Sequence, residues 1–554
     1  MHDSTATADL ESADDLPVIR ARVDPRLLRK ADRLLTGTLE GRIIELLQNA
    51  RRAGAQHVEI TNSGGTVTIQ DDGRGIDDFA KLLDLGGSGW EEEYEASEDP
   101  AGVGLFCLAP RDIRIRSKGR RVDITSGGWR GAPVEVLPDH GPAQGTIVQF
   151  EDDEWSAALV RPLAAFGGMK VAVDDRPLPR EDFLGKNAVH HPELGCRIEV
   201  LASNDERKCG AQFCGRDAYC RNAAINFHGQ LVHFDYHEVD EPGLHYLIDL
   251  TGEPTGIRLM LPARTQLVEN PARGALLAAI ELEAYWFLKH AGHHKLPYKQ
   301  YVRARELGVD LPEADPQFSV GLLSDSDNGT YPGLVKQPSG FPLSSCYRFE
   351  YEADSDHETD VCNAHILAVL GEFKTPFVPV EIQPKYDGYS WATLPTIGSV
   401  AVEIGRKTHE ASVWRGTLTC VESLVITVKT SDGRVFRSAV CMAVPPGVDE
   451  REDLLVTPAA QREADDTVLW FYMGGPFDDD DTWDTQSDRF SSELHDFGLA
   501  LVGPEESARR GVLSAIEQIR GVGNWRFVKV WPDGRVEITS KRGKKKMLKP
   551  PKRG

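Results

Sequence analysis

Residues 40–76, EGRIIELLQNARRAGAQHVEITNSGGTVTIQDDGRGI, decide how the first part of the chain folds. Strong helix formers with a repeating apolar face run over residues 39–53 and stop before a glycine, which predicts an amphipathic helix with Thr38 as its N-cap. Glu45 and Asn49 are four residues apart and therefore lie on one face of this helix, where both can reach a single ligand.

The second half of that stretch alternates apolar and polar residues around a Ser-Gly-Gly turn, which predicts a β-hairpin. The hairpin ends at Asp71. Gly73 and Gly75 carry no Cβ, so the backbone there can come close to whatever Asp71 holds.

Three later segments extend the pattern. Residues 85–90, LGGSGW, have the composition of a flexible lid. Residues 99–108, DPAGVGLFCL, place Gly102 and Gly104 where an apolar helix opens, and backbone amides at a helix start favour an anion. The segment GTIVQF begins a strand-like run with Thr146.

Each motif alone is weak, because an acid on a helix face is usually solvated and an Asp-x-Gly-x-Gly sequence is usually a turn. Their order between Glu45 and Thr146, however, resembles the GHKL (Bergerat-fold) ATP-binding domain found in DNA gyrase, the large heat-shock chaperone, histidine kinases and MutL. The chain contains no G-x-x-x-x-G-K-[ST] motif, which removes the P-loop as a competing way to hold a triphosphate.

The resemblance implies a role for each residue that matches the family pattern. Asp71 would accept a hydrogen bond from the adenine amino group of ATP, with Gly73 and Gly75 beside the base. Thr146 would support Asp71.

The same resemblance assigns the phosphate end of the site. Asn49 would coordinate Mg²⁺, Gly102 and Gly104 would cradle the phosphates, and Glu45 would be catalytic by deprotonating the attacking water. Many relatives carry Asp three residues after the Asn, where this chain has Arg52, so reduced hydrolysis stays open.

By resemblance, a second αβ domain sends a basic residue to the γ-phosphate. The segment LPARTQ precedes a long predicted helix and nominates Arg264 as this second catalytic residue. The alternative is an ordinary surface or ion-pair arginine, since most arginines are exposed.

A cysteine cluster, CGAQFCGRDAYC with Cys196 before it, raises the question of zinc. Its spacings include no C-x-x-C pair, so small buried thiols are favoured over a zinc site. The nine cysteines of the chain are predicted to be reduced thiols.

The length of 554 residues predicts a multidomain chain. The predicted fold class is α/β: an α+β sandwich for ATP binding, a second α/β transducer-like domain and a β-rich C-terminal half. The predicted boundaries are a flexible tail at 1–23, the ATP-binding domain at 24–165, the transducer-like domain at 166–310, a linker at 311–345, a β-rich domain at 346–460, a small αβ domain at 461–539 and a basic disordered tail at 540–554.

Charge and hydropathy limit the partners. The formal charge of −23 argues against a broad surface that clamps a phosphate backbone, and the acidic N-terminus and absence of long apolar runs predict a cytoplasmic protein without membrane contact. The tail SKRGKKKMLKPPKRG, residues 540–554, holds eight Lys or Arg, which favours either a solvated tail or weak contact with nucleic acid.

Three function classes follow. The first is an ATPase whose cycle opens and closes a dimeric clamp on an unidentified macromolecular client. The second, a histidine kinase, is disfavoured because the ATP domain begins near residue 24 and leaves no room for a phosphoacceptor helix upstream. The third is an ATP-binding regulator with little turnover, for example in a prokaryotic defence or stress system.

Overall fold

The computed structural model describes residues 38–85, 104–152, 154–202, 222–250, 256–260, 264–318, 342–349, 355–413, 416–446, 453–459, 525–531 and 536–548. The fold is mixed α/β, with several sheets and few helices. Two compact units form: unit 1 comprises Met1–Leu296 and Val302–Pro312, and unit 2 comprises Pro297–Tyr301 and Glu313–Gly554. The α-helices among the described residues are α1 Leu39–Arg52, α2 Ala157–Ala164, α3 Pro271–Ala291, α4 Tyr298–Glu306 and α5 Ser355–Leu370.

The larger sheet of unit 1 has eight strands in the order β5-β4-β3-β6-β2-β1-β7-β8. All neighbours are antiparallel except β1 and β7, which are parallel. Apolar residues of α1 and α2 share one buried core with this sheet. The strands are β1 His57–Ser63, β2 Thr66–Asp71, β3 Ile113–Ser117, β4 Arg120–Ile124, β5 Val136–Pro138, β6 Thr146–Glu151, β7 Lys170–Val173 and β8 Arg176–Pro177.

The predicted helix and hairpin are confirmed. Thr38 caps α1, its Oγ1 accepting from the amide of Gly41 at 3.1 Å. Strands β1 and β2 pair in register across Gly64 and Gly65, whose φ angles of 62° and 87° suit a tight hairpin turn. Thr146 begins β6, as the sequence predicts.

The predicted domain boundary at residue 165 is wrong. Strands β7 and β8 follow that position, yet they extend the eight-stranded sheet, with β7 pairing in parallel along β1. The sequence GGMKVAVDDRPLP does predict a strand, a turn and a return. Which sheet such a local hairpin joins depends on long-range pairing, which local pattern does not encode.

A second sheet of unit 1 has five strands in the order β12-β11-β13-β10-β9, with β11 and β13 parallel and the other neighbours antiparallel. The long helix α3 follows it, as predicted, with Asn270 as N-cap and Gly292 at φ 75° beyond its end. The strands are β9 Val189–His191, β10 Cys196–Ala202, β11 Ala223–Phe227, β12 Gln230–Phe234 and β13 Leu244–Leu250.

Unit 2 is rich in strands, and α5 packs against them through Val361, Ala364 and Leu367. The sequence at 423–444 alternates apolar and polar residues around an Asp-Gly turn, which predicts a hairpin, and β19 and β20 form it. The sheets formed by its described residues are β14-β15, β16-β19-β20, β17-β18-β22-β21 and β23-β24-β25. The strands are β14 Cys346–Arg348, β15 Val378–Val380, β16 Ile397–Ile404, β17 Lys407–Val413, β18 Gly416–Val421, β19 Leu424–Thr430, β20 Val435–Ala439, β21 Met442–Ala443, β22 Asp453–Val456, β23 Trp525–Val530, β24 Val536–Ser540 and β25 Lys545–Leu548.

The prediction of an unfolded basic tail is wrong for its first part. Residues 545–548 form β25, antiparallel to β24, after a turn with Gly543 at φ 80°. Lys545 forms an ion pair with Glu537 of β24 at 3.2 Å, so a cross-strand partner offsets part of the charge that predicted disorder.

Several predictions fall outside the described residues: the tail at 1–23, the lid beyond Leu85, Gly102, the linker at 319–341 and residues 461–524 of the small αβ domain. Within the described ranges, no helix combines the length and hydropathy required to cross a bilayer.

Candidate functional site

Helix α1 places Glu45 and Asn49, two of the predicted site residues, beside a third, Gly104. Gly104 begins a short 3-10 helix, Gly104–Leu108, that lies against α1. A Cβ built on Gly104 would lie 3.0 Å from Glu45 Oε2 and 3.4 Å from Asn49 Nδ2. The backbone at Gly104 therefore passes directly beside both side chains, and any larger residue would crowd them.

Asp71 lies half-buried at the end of β2. Its Oδ1 accepts a hydrogen bond from the Gly73 amide at 2.9 Å, and Thr146 is its register partner on β6. Burial raises the pKa of Asp71 from 3.8 to about 6, and backbone hydrogen bonds from Gly73 and Thr146 oppose that rise. The site thus offers a partly desolvated carboxylate supported by Thr146.

Close backbone packing surrounds Asp71. A Cβ on Gly73 would lie 2.8 Å from the carbonyl oxygen of Ala53, at the end of α1, and one on Gly75 would lie 2.7 Å from Ser117 Oγ. Gly75 also has φ 77°, and Gly145 would place a Cβ only 2.0 Å from the Asp71 carbonyl oxygen. Glycine is required at all three positions for space, and at Gly75 and Gly145 for conformation as well, since Gly145 has φ 82°.

Two further contacts fix that end of the hairpin. The amide of Arg74 donates to the Ala53 carbonyl at 2.8 Å, which ties the hairpin end to the C-terminus of α1. Ser117 is fully buried; its hydroxyl donates to the Gly145 carbonyl at 2.7 Å and accepts from the Ile76 amide at 2.9 Å. Ser117 is a site residue that the sequence reasoning missed, and its position at a strand end gave no distinguishing signal.

Arg264 is buried, with 3% of its surface exposed, so it is not a surface arginine, whereas the alternative of an ion-pair arginine agrees with its contact to Glu45. Its Nη1 donates to Gln48 Oε1 at 2.8 Å and lies 3.4 Å from Glu45 Oε1, and its guanidinium lies 5.6 Å from the centre of the Phe227 ring. The residue has a left-handed backbone, φ 53°, and its carbonyl accepts from Gln230 Nε2 at 2.8 Å. Arg264 therefore links the second sheet of unit 1 to the predicted general base.

The unexpected Arg52 belongs to the same network. It is 3% exposed, and it donates to Gln48 Oε1 at 3.2 Å and to Asn49 Oδ1 at 3.4 Å. Gln48 Nε2 in turn donates to the Phe227 carbonyl at 3.4 Å. The sequence reasoning missed Gln48, although the spacing of residues 45, 48, 49 and 52 places all four on one helix face.

A buried ion pair anchors the start of α1. Arg42 Nη2 lies 2.9 Å from Asp152 Oδ2, just after β6, and the two side chains are 7% and 4% exposed. Arg111 approaches the same carboxylate at 3.3 Å. This pair holds the helix that carries Glu45 and Asn49 against the sheet.

Whether the cysteine cluster is a zinc site or a set of buried thiols depends mainly on residues outside the described ranges, which include Cys209, Cys214 and Cys220. Cys196 is fully buried on β10, and burial raises the pKa of its thiol to about 12. Across the part of the chain that the structure describes, no group of three or more His, Cys, Asp or Glu side chains is arranged to hold a metal ion.

The sequence was also compared with known proteins. No protein-family model matches the chain, and no curated protein matches it significantly.

Proposed function

We propose that this protein binds ATP with Mg²⁺ and hydrolyses it, and that the cycle opens and closes a dimeric, multidomain clamp on a macromolecular client. The observation that carries the proposal is the meeting of Glu45, Asn49 and the Gly104 backbone on one face of α1. Asp71 and the closely packed glycines around it adjoin the C-terminal end of the same helix.

The residues present suit the proposed ligand. Asp71 is an acceptor, as the adenine amino group requires, and Gly73 and Gly75 place no side chain beside it. Asn49 Oδ1 receives one hydrogen bond from Arg52, and an amide oxygen has two lone pairs, so an acceptor position remains for a hard cation. Bound Mg²⁺ would supply charge neutralisation on the phosphates.

The side chains on and around α1 would have separate roles in hydrolysis. Glu45 would orient the attacking water and take its proton at Oε2, the oxygen beside Gly104, and general-base catalysis of this kind contributes about 10²–10⁴-fold. The guanidinium of Arg264 would stabilise negative charge on the transferred group. Arg52 and Arg264 are buried cations that share one neutral acceptor, Gln48. With Glu45 beside Arg264, the cluster keeps one net positive charge, which favours a polyanionic ligand.

An ATP-binding regulator with little turnover is the second candidate. The observation that favours it is the 3.4 Å approach of Arg264 Nη1 to Glu45 Oε1. In that contact a guanidinium and not a water molecule lies beside Oε1 of Glu45, so in a regulator of this kind hydrolysis would require the contact to open.

Phosphate release from ATP with Mg²⁺ tests the proposal, together with calorimetric binding of a non-hydrolysable analogue. Glu45→Gln should lower phosphate release by about 10²–10⁴-fold and leave analogue binding intact. Glu40→Gln is the matched control, because Glu40 lies exposed in the first turn of the same helix and should change neither quantity.

The possible outcomes separate the candidates. Analogue binding without phosphate release, in the wild type and with any partner present, would favour the regulator. Failure to bind the analogue, or phosphate release that is unaffected by Glu45→Gln, would overturn the ATPase. Sedimentation that shows only monomer with the bound analogue would remove the dimeric clamp.

A further inference from the structure

The three-stranded sheet β23-β24-β25 is a strongly basic element in an acidic protein. Residues 525–548 contain eight Lys or Arg and two Asp or Glu, a net charge of +6, whereas the whole chain carries −23. Every described residue of the turn and strand from Lys541 to Met547 is exposed. This concentration of charge marks the sheet as a surface for an anionic partner.

The strand register arranges these residues by face. Phe527 pairs with Thr539, which pairs with Lys545, and the next row is Lys529, Glu537 and Met547. Directly opposed residues point to the same side of a sheet, and residues two apart along a strand do so as well. One face therefore carries Phe527, Lys529, Lys545 and Met547 together.

That face combines exposed apolar surface with cations. Phe527 is 48% exposed and Met547 is 52% exposed. The ammonium of Lys529 lies 5.1 Å from the centre of the Trp531 ring, which adds a second aromatic side chain beside the basic residues. We name the set Phe527, Lys529, Trp531, Lys545 and Met547 the aromatic-basic face.

We propose that the aromatic-basic face binds single-stranded nucleic acid. Such binding combines aromatic rings on which bases stack with basic side chains that follow the phosphates. An acidic protein partner would use the lysines but has no need of an exposed phenylalanine between them. The one acid on this face, Glu537, already forms an ion pair with Lys545 at 3.2 Å and is 16% exposed, so it presents little repulsion to phosphate.

The inference goes beyond the proposed ATPase and does not depend on it, because none of these residues belongs to the site around Glu45 and Asp71. It concerns the nature of the macromolecular client. Binding to nucleic acid in the absence of ATP would support it even if the protein hydrolysed no nucleotide.

Fluorescence anisotropy of the full-length protein with an oligothymidylate of about 15 nucleotides tests the proposal. Phe527→Leu should weaken binding by about 5- to 100-fold, while Phe527→Tyr should stay within about twofold of wild type, because tyrosine keeps the ring on which a base stacks. Lys529→Gln should reduce the slope of log affinity against log salt by about 0.7 for each lost phosphate contact.

A second lysine–tryptophan pair provides a matched control. On α3, the ammonium of Lys289 lies 4.7 Å from the centre of the Trp286 ring, and Trp286 is 36% exposed. Trp286→Leu and Lys289→Gln should leave affinity and salt slope unchanged.

Three results would overturn the proposal. One is no binding at low salt, and another is equal affinity for Phe527→Leu and wild type, which would leave only charge attraction. The third is displacement of the oligonucleotide by polyglutamate as effectively as by unlabelled oligothymidylate, which would indicate an acidic protein partner.

Discussion

Replacing Asp71 by asparagine should stabilise the free protein while it weakens nucleotide binding. Burial raises the pKa of this carboxyl from 3.8 to about 6, so its ionised form is disfavoured in the folded state. That penalty is fully present above the folded pKa and is relieved as pH falls from about 6 toward 3.8. Because the asparagine side chain is neutral and can still accept from Gly73, Asp71→Asn removes the penalty and keeps the hydrogen bond.

The magnitude follows from the shift in pKa. A rise from 3.8 to about 6 corresponds to about 3 kcal/mol at pH 8, and the same two values give about 1.5 kcal/mol at pH 5. The stabilisation by Asp71→Asn should therefore shrink by about half between these two pH values. Nucleotide affinity should change in the other direction, since loss of a charged acceptor costs about 1.5–3 kcal/mol, or about 10- to 100-fold in Kd.

Hydrogen–deuterium exchange along a urea titration, followed on peptides from β2 and β6, measures the stability of this sheet, and calorimetry measures the Kd. Asp72→Asn is the matched control. Although burial pushes the pKa of Asp72 upward, hydrogen bonds from His57 and Gln56 outweigh it and lower that pKa, so this change should destabilise the sheet. Equal stability of wild type and Asp71→Asn at pH 8, or a difference that does not vary with pH, would refute the reasoning.

Three more predictions concern neighbouring contacts. Gly104→Ala places a methyl group 3.0 Å from Glu45 Oε2 and should lower phosphate release by about 10²-fold with little change in urea stability; full activity would contradict the crowding. Arg42→Met leaves Asp152 buried without its closest partner and should lower the free energy of unfolding by about 3–5 kcal/mol, much of which Arg42→Met/Asp152→Leu should restore. Gln48→Met removes an acceptor shared by the buried guanidinium groups of Arg52 and Arg264, and should lower the free energy of unfolding by about 2 kcal/mol or more. An unchanged midpoint of urea unfolding would show that neither arginine depends on Gln48.

Local sequence determined much of what positions the site. The helix around Glu45 and Asn49 and the hairpin that ends at Asp71 depend on capping, periodicity and turn glycines, all of which act within a few residues. They appear where the sequence predicts them. Arg264 could be nominated by its place before a long helix, but its partner Gln48 is 216 residues away, and no local pattern connects the two.

Two elements, helix α5 and strand β25, do not follow from local sequence patterns, and each has a physical reason. Helix α5 was not predicted, because residues 361–367 are buried on every side and show no polar stripe to mark a helical period. Strand β25 was missed because charge composition argued for disorder, whereas pairing with β24 supplies backbone hydrogen bonds and an acidic partner.

The carboxamide of Gln48 has a consequence for how the proposed ATP site would attract its ligand. Its single oxygen accepts from Arg52 at 3.2 Å and from Arg264 at 2.8 Å, and it carries no net charge of its own. A glutamate of nearly the same shape would make stronger contacts, but it would also neutralise one of the two cations. Glutamine joins the arginines without adding a negative charge, so with Glu45 beside Arg264 the cluster keeps one net positive charge, which in the proposed ATP site would draw a phosphate chain toward Asn49 before any contact forms.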